Sequence, residues 1–356
     1  MKENFWTDLY LKKKNKEPII VLAPMADVTD YSFRNLIVKK SEYGTENSAL
    51  DVLWTEFVSV NGLNDLRGRK ELINDLRFNE KEERPIVAQI FGDKVEGFAS
   101  VTKLLIDMDF DGIDINMGCP DNNVNGQGSG AYMIKVPELA VEIATTIKKT
   151  LEENNSNIPL TIKTRIGYNQ IEWKQWLGEI LKVKPQVMTI HLRTKKEMSL
   201  VAAHWELAPE IVNWIRENFG SVEDDGPIII LNGDVKDCED ANEKWKQSGC
   251  DGIMIGRGIF GNPWLFNKNI KKEDLSLSEI LNTMVEHTKS FEKEMFFKNF
   301  AVMKKHFKAY VHGFVGAKEL RVKLMNTTNA DEVEKIIKSW LFWRKIKSVF
   351  GVLYSK

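Results

Sequence analysis

Residues 227–258 read PIIILNGDVKDCEDANEKWKQSGCDGIMIGRG. An apolar run, PIIILNG (227–233), leads through a polar helical segment to a second apolar run, GIMIGRG (252–258). Both are apolar nearly throughout rather than alternating, as strands covered on both faces are. Strand, crossover helix and strand make a parallel unit, so the fold turns on how often that unit recurs.

Six similar runs lie upstream: IIVLAP (19–24), VLWTEFV (52–58), PIVAQIF (85–91), GIDINM (112–117), PLTIKTR (159–165) and VMTIHL (187–192). Segments with helical spacing separate several of them. Val95–Met108 puts Phe98, Val101, Leu104, Leu105 and Met108 on one face. Pro137–Leu151 opens on a proline and continues with Leu139, Ile143 and Ile147. Eight runs in roughly 240 residues fit a closed (β/α)8 TIM barrel better than an open doubly wound sheet. The unit between the first two runs is the weakest, because SEYGTENSALD (41–51) reads as irregular loop.

After Trp264 the pattern changes. LSLSEILNTMVEHTKSF (275–291), NFAVMKKHFKAYVHGF (299–314) and DEVEKIIKSWLFWRKIKSVF (331–350) are amphipathic, with no strand between them. The expectation is an α/β TIM barrel over residues 1–265 and a small all-α domain over 266–356. Charge divides at the same place. Residues 266–356 carry 18 Lys and Arg against 10 Asp and Glu, while residues 1–265 carry 32 against 41. An acidic body with a basic appendage points to a polyanionic partner, although a lysine-rich solvated face has the same composition.

The 356 residues are 43% hydrophobic and 28% charged, which excludes a disordered or fibrous chain. No run of about 18 uncharged apolar residues offers a membrane span. The opening MKENFWTDLYLKKKNKEP lacks the apolar centre of a secretory signal. Three scattered cysteines suit neither a disulfide framework nor a zinc site, and no His/Asp/Glu group has metal-ligand spacing. These features are those of a cytoplasmic, metal-free protein.

In a barrel, functional side chains gather at the C-terminal ends of the strands. The special residues here do so: Pro24, Met25 and Ala26 after the first run, Gln89 in the third, and Asn116 and Cys119 after the fourth. Lys163 and Arg165 lie in the fifth, His191 and Arg193 close the sixth, Asn232, Gly233 and Asp234 the seventh, and Gly256 and Arg257 the eighth. The last two ends are the fold's usual phosphate position, and glycines with an arginine suit an anion there. Gly256–Gly261 also spells G-x-G-x-x-G, but a dinucleotide fingerprint belongs in the first unit of an open sheet, not in an eighth.

A phosphate grip with Gln89 and Lys163 inside the mouth suits flavin mononucleotide. Glutamine can both donate to and accept from the ring's pyrimidine edge, and a lysine stabilises the anionic reduced ring. The competing reading of Lys163 is an ion pair with Asp114. Cys119, on a glycine–proline turn, offers a thiol with an ordinary pKa near 8.5, able to act as a general acid. Cys238 and Cys250 read as small buried hydrophobes. His191 and Arg193 could hold a phosphate, a nucleotide or the flavin. His204 is ambiguous, and His287, His306 and His312 read as ordinary helical-surface or core residues.

LAPMADVTDYSFR (22–34), AQIFG (88–92), DINMGCP (114–120), GSGAYMIKVP (128–137), TIKTRIGY (161–168), HLRT (191–194), ILNGDV (230–235) and GCDGIMIGRGIFGNPWLF (249–266) resemble, in order, the signature stretches of the tRNA-dihydrouridine synthases. The resemblance runs from Ile19 to Phe266. It implies a barrel using FMN, with NADPH as reductant, followed by a helical domain that helps hold tRNA, in a protein that is a monomer. By position, Pro24, Met25 and Ala26 would line the flavin, Gln89 and Lys163 would contact its ring, and His191, Asn232, Gly233, Asp234, Gly256 and Arg257 would hold its ring side and phosphate. Cys119 looks like the family's catalytic acid and Asn116 like the residue beside the target base, with Arg165 and Arg193 on the substrate side. The implied reaction passes hydride from flavin N5 to C6 of a uridine while Cys119 protonates C5.

Two positions depart from the pattern. Leu192 stands where the family has glycine, which raises the question of whether it crowds the ring. Asn123 stands where many members have a lysine, which bears on the choice of uridine. Two other readings of the chain remain at this point: an FMN barrel acting on a free small molecule, and an RNA clamp that has lost catalysis. The first leaves the basic helical part without a purpose, and the second leaves Cys119, Lys163 and Gln89 unexplained.

Overall fold

The computed structural model describes residues 3–353. Eight strands form one sheet: β1 Ile19–Leu22, β2 Leu53–Ser59, β3 Ile86–Phe91, β4 Gly112–Met117, β5 Leu160–Arg165, β6 Val187–His191, β7 Ile228–Asn232 and β8 Gly252–Ile255. All neighbours are parallel, in the order β1-β8-β7-β6-β5-β4-β3-β2. The two end strands also meet. Val21 bridges Val52 in parallel, and the Asp51 N–H donates to the Ile20 carbonyl at 2.8 Å. The sheet is a TIM barrel, as the run count predicts.

Alternation along the strands divides the core in two. Ile19, Val21, Val87, Val187, Ile228, Ile230 and Met254 face inward and pack with Trp54, while their neighbours face a surrounding shell of helices. Two of those helices are the ones expected, Val95–Asp107 and Pro137–Glu153. Two others have no counterpart in the sequence reading. A helix over Phe5–Lys13 closes the N-terminal end of the barrel, with Trp6 fully buried and its ring 5.8 Å from Trp54. The weak first unit contains a helix, Tyr31–Lys40, ahead of the irregular 41–51 segment.

Among the described residues, four further α-helices follow the barrel: Leu277–Glu294, Met303–Tyr310, Ala317–Met325 and Ala330–Leu353. A capping box between Ser276 and Glu279 starts the first. Leu281, Met284, Phe291, Phe307, Leu320, Leu324, Val333 and Ile337 give these helices a core of their own. Phe266 still belongs to the barrel core, and the Asn267 amide donates to the Lys40 carbonyl at 3.0 Å.

The helical part docks on the β1–β2 side. His287 and His306, both fully buried, meet Phe33 of the Tyr31–Lys40 helix, with the His287 ring stacked on it at 4.7 Å. Lys298 reaches back into the barrel, its Nζ 2.6 Å from Glu56 and 3.1 Å from Asp75. Glycines of the literal G-x-G-x-x-G serve these contacts. A Cβ on Gly258 would lie 2.3 Å from the Lys236 carbonyl oxygen, and one on Gly261 would lie 2.2 Å from that of Ala309. The spacing therefore records close backbone packing, first between two barrel loops and then against the helical part. Among the described residues, no helix is long and apolar enough to cross a membrane.

Candidate active site

A cavity of about 290 Å3 opens where the strands end in the C-terminal direction. Of the residues singled out from the sequence, Pro24, Met25, Gln89, Asn116, Cys119, Lys163, Arg165, His191, Arg193, Asn232, Gly233, Asp234, Gly256 and Arg257 line it. Ala26 does not; it sits exposed on the loop beyond Met25. Phe57, Met198 and Ser199 also line the cavity and escaped the sequence reading. Phe57 lies two residues before the end of β2, within a run already read as a strand, so its position could have been read. Met198 and Ser199 lie in a loop whose path depends on Arg165.

The Cys119 loop is held by its backbone. Its N–H donates to Asn116 Oδ1 at 2.8 Å, and its carbonyl accepts from Asn125 Nδ2 at 2.8 Å and from the Ala131 N–H at 3.1 Å. The thiol makes none of these contacts. Burial pushes it above its ordinary pKa and the Asp121 charge adds to this, against the pull of the Asp121 N–H, Arg165 and Lys163. A raised pKa keeps the proton on sulfur at neutral pH. Cys238 and Cys250 are each pushed up to about 12, chiefly by burial, as the inert reading of these residues requires.

Lys163 has no hydrogen-bond or ion-pair partner among the described residues. The ion pair with Asp114 does not form, because Asp114 instead accepts from Gln89 Nε2 and Thr161 Oγ1, each at 2.5 Å. Burial, and then Arg165, push the Lys163 ammonium down to about 8. It remains mostly charged at pH 7 and faces the cavity.

Arginines brace the far wall. Arg165 donates to the carbonyls of Gly118 at 2.6 Å, Thr194 at 3.0 Å and Met198 at 3.2 Å, tying the β4 and β6 loops together. Its Nη2 has no partner among the described residues. Arg193 donates to the Val201 carbonyl at 2.8 Å, to His191 Nε2 at 3.2 Å and to Asp234. Burial and the surrounding cations push His191 well down, so its ring is neutral. Because Arg193 occupies Nε2, the ring proton belongs on Nδ1. Asp234 also accepts from Arg257 Nη2 at 2.5 Å. Burial works against its charge, but Arg193, the Ala203 N–H and Arg257 prevail and hold it below the usual carboxylate range.

Leu192 is fully buried in the shell between strands and helices and does not line the cavity. Asn123 is exposed at the start of the short helix Asn122–Gly126. His204 lies outside the cavity, between Glu197 at 3.0 Å and Glu206 at 2.8 Å, both of which raise its pKa. His287 and His306 are core residues, and His312 is exposed.

Similarity to known proteins agrees with this arrangement. The family model for dihydrouridine synthase (Dus) matches residues 21–345. A "probable tRNA-dihydrouridine synthase 2" of Bacillus subtilis (strain 168) is 40% identical over 339 residues, spanning 95% of this chain and 96% of that protein. A "probable tRNA-dihydrouridine synthase" of Staphylococcus epidermidis is 39% identical over 346 residues, spanning 95% of this chain and 96% of that one. Among solved structures, histamine dehydrogenase from Rhizobium sp. 4-9 is similar over 85% of this chain and 53% of its own, at 12% identity and a TM-score of 0.46, too distant to bear on function. With a family match across barrel and helical part alike, and with the site residues brought to one cavity, the chain belongs to the dihydrouridine synthase family.

Proposed function

We propose that this protein reduces the C5–C6 double bond of uridine in tRNA to 5,6-dihydrouridine, using FMN recharged by NADPH. The observation that carries the cofactor is the enclosed, partnerless Lys163 ammonium beside Gln89, in a cavity whose opposite rim holds Arg257 and two glycine turns. A buried cation without a protein partner calls for an anionic or electron-rich group. The pyrimidine edge and phosphate of FMN meet both ends of that donor set.

Pro24 and Met25 would line the flavin ring, and Gln89, Lys163 and His191 would hold its polar edge. Asn232, Gly233, Asp234, Gly256 and Arg257 would form the phosphate end. When bound, the flavin supplies the hydride that reaches C6 of the uracil ring. Cys119 keeps its proton at neutral pH and gives it to C5. Asn116 fixes the cysteine's backbone and stands beside the base. The free Nη2 of Arg165 offers the substrate side a donor, while Arg193 supports His191 and Asp234 as a wall.

A uridine in folded RNA must leave its stack to enter a cavity this enclosed. We assign residues 1–265 to catalysis and 266–356 to holding the RNA, mostly through phosphates and shape. The excess of lysine and arginine in the second part and its separate core support that division. The purified protein should be yellow. NADPH should bleach its flavin absorbance, and tRNA lacking dihydrouridine should restore the colour without oxygen. Reoxidation by free uridine but not by tRNA would overturn the substrate.

A further inference from the structure

Inside the barrel, polar groups from two strands form one hydrogen-bonded line that ends on the cysteine. Gln89 Nε2 donates to Asp114 Oδ2 at 2.5 Å, and Asn116 Nδ2 donates to Gln89 Oε1 at 2.9 Å. Asn116 Oδ1 then accepts from the N–H groups of Cys119 at 2.8 Å and Gly118 at 3.1 Å. The line starts on β4, crosses to β3 and returns to the end of β4. Asp114 and Gln89 are fully buried and Asn116 nearly so.

The two ends fix the middle. An ionised carboxylate only accepts and a backbone N–H only donates, whereas an amide side chain can face either way. Between an accepting end and a donating end, two amides have a single consistent orientation. If Gln89 turned round, its oxygen would meet the carboxylate and its NH2 would meet that of Asn116. If Asn116 turned as well, its NH2 would meet the N–H of Cys119. Either arrangement leaves buried polar groups facing their own kind, which is costly where water cannot reach. Thr161 Oγ1, donating to Asp114 Oδ1 at 2.5 Å, secures the carboxylate without entering the line.

We propose that Asp114 is a positioning residue for the reaction: by accepting from Gln89 it sets the facing of both amides and so holds the Cys119 loop in place. This rests on the reading of Cys119 as the proton donor. In the same orientation Gln89 retains one amide hydrogen and one lone pair for the cavity. Burial pushes the Asp114 carboxyl up to about 6, against the pull of Gln89 and Thr161, so the accepting end is ionised at neutral pH.

The test is the rate at which iodoacetamide alkylates Cys119 in the purified protein, read by peptide mass spectrometry at pH 8. Alkylation needs neither RNA nor NADPH, so its outcome is separate from that of the proposed reaction. Asp114→Leu keeps the volume but removes the acceptor, and should raise the rate about tenfold, the worth of roughly one hydrogen bond. Asp114→Asn can still turn its oxygen to Gln89 and should return the rate to near wild type. Thr161→Val loosens the carboxylate outside the line and should leave the rate unchanged. If the leucine variant does not fold, Asn116→Asp serves instead: it places acceptors at both ends of Gln89 and should also raise the rate. Equal rates in wild type, Asp114→Leu and Asn116→Asp, or the same increase in Thr161→Val, would overturn the proposal.

Discussion

Removing the Cys119 thiol tests the chemistry where the structure is most specific. The three backbone bonds that hold the loop, to Asn116, Asn125 and Ala131, do not involve sulfur. Cys119→Ala should therefore keep the loop, the fold and flavin binding. No neighbour replaces the lost acid well. His191 is neutral, Arg165 is lowered by burial and then by Arg193 only to about 10, and Lys163, at about 8, lies on the wall assigned to the flavin. General acid catalysis contributes about 10²–10⁴-fold, or roughly 3–5 kcal/mol of barrier. Uridine reduction in a single turnover should fall by that factor, while flavin reduction by NADPH stays within about twofold, since that step does not require this acid. A loss of less than tenfold in dihydrouridine formation would remove Cys119 from the proton's path. So would alkylation of the wild-type thiol that levels off below pH 8, because a resident thiolate cannot be the acid.

Lys298→Met strands Glu56, which is 5% exposed, beside Asp75, and breaking such a buried pair costs about 3–5 kcal/mol. Burial pushes Glu56 up to about 7 even with its lysine, above the unfolded value near 4.3, so its contribution is full at low pH and is lost as pH rises through 7. The variant should accordingly lose more melting temperature at pH 8 than at pH 5.5, and an equal loss at both would refute the assignment. Charge reversal at Lys304, Lys305 and Lys308 should weaken tRNA binding and lower the slope of log K against log salt by about 2, with NADPH oxidation unchanged. An unaltered slope would place the phosphate contacts elsewhere. Trp6→Ala, by opening a cavity under the barrel against Trp54, should cost about 3–5 kcal/mol in urea unfolding. A loss under 1 kcal/mol would mean that the Phe5–Lys13 helix is not a structural plug.

The barrel was legible because its strands are buried on both faces, which leaves an apolar run that survives without context. GIDINM (112–117) coincides with β4 residue for residue. The helices that escaped notice share a physical cause. In Tyr31–Lys40 a fully buried Arg34 occupies a core-facing position, paired at 2.9 Å with Glu83 49 residues away, so the periodicity breaks where a charge is satisfied from a distance. In Phe5–Lys13 the buried residues Trp6, Thr7, Tyr10 and Lys13 keep helical spacing, but Thr7, Tyr10 and Lys13 carry polar groups while the apolar Leu11 lies exposed. Most of the site was readable because the fold brings strand ends together regardless of sequence distance. What joins those residues was not: the bond between Gln89 and Asn116 and the reach of Lys298 to Glu56 span 27 and 242 positions and leave no local trace.

The most direct measurement is nucleoside mass spectrometry of tRNA lacking dihydrouridine, after incubation with the purified protein, FMN and NADPH. Uridine should gain the mass of two hydrogens at a defined position in the D-loop, and only when all three components are present. Steady NADPH oxidation with RNA of unchanged mass would contradict it, leaving a flavin barrel whose substrate is a free small molecule.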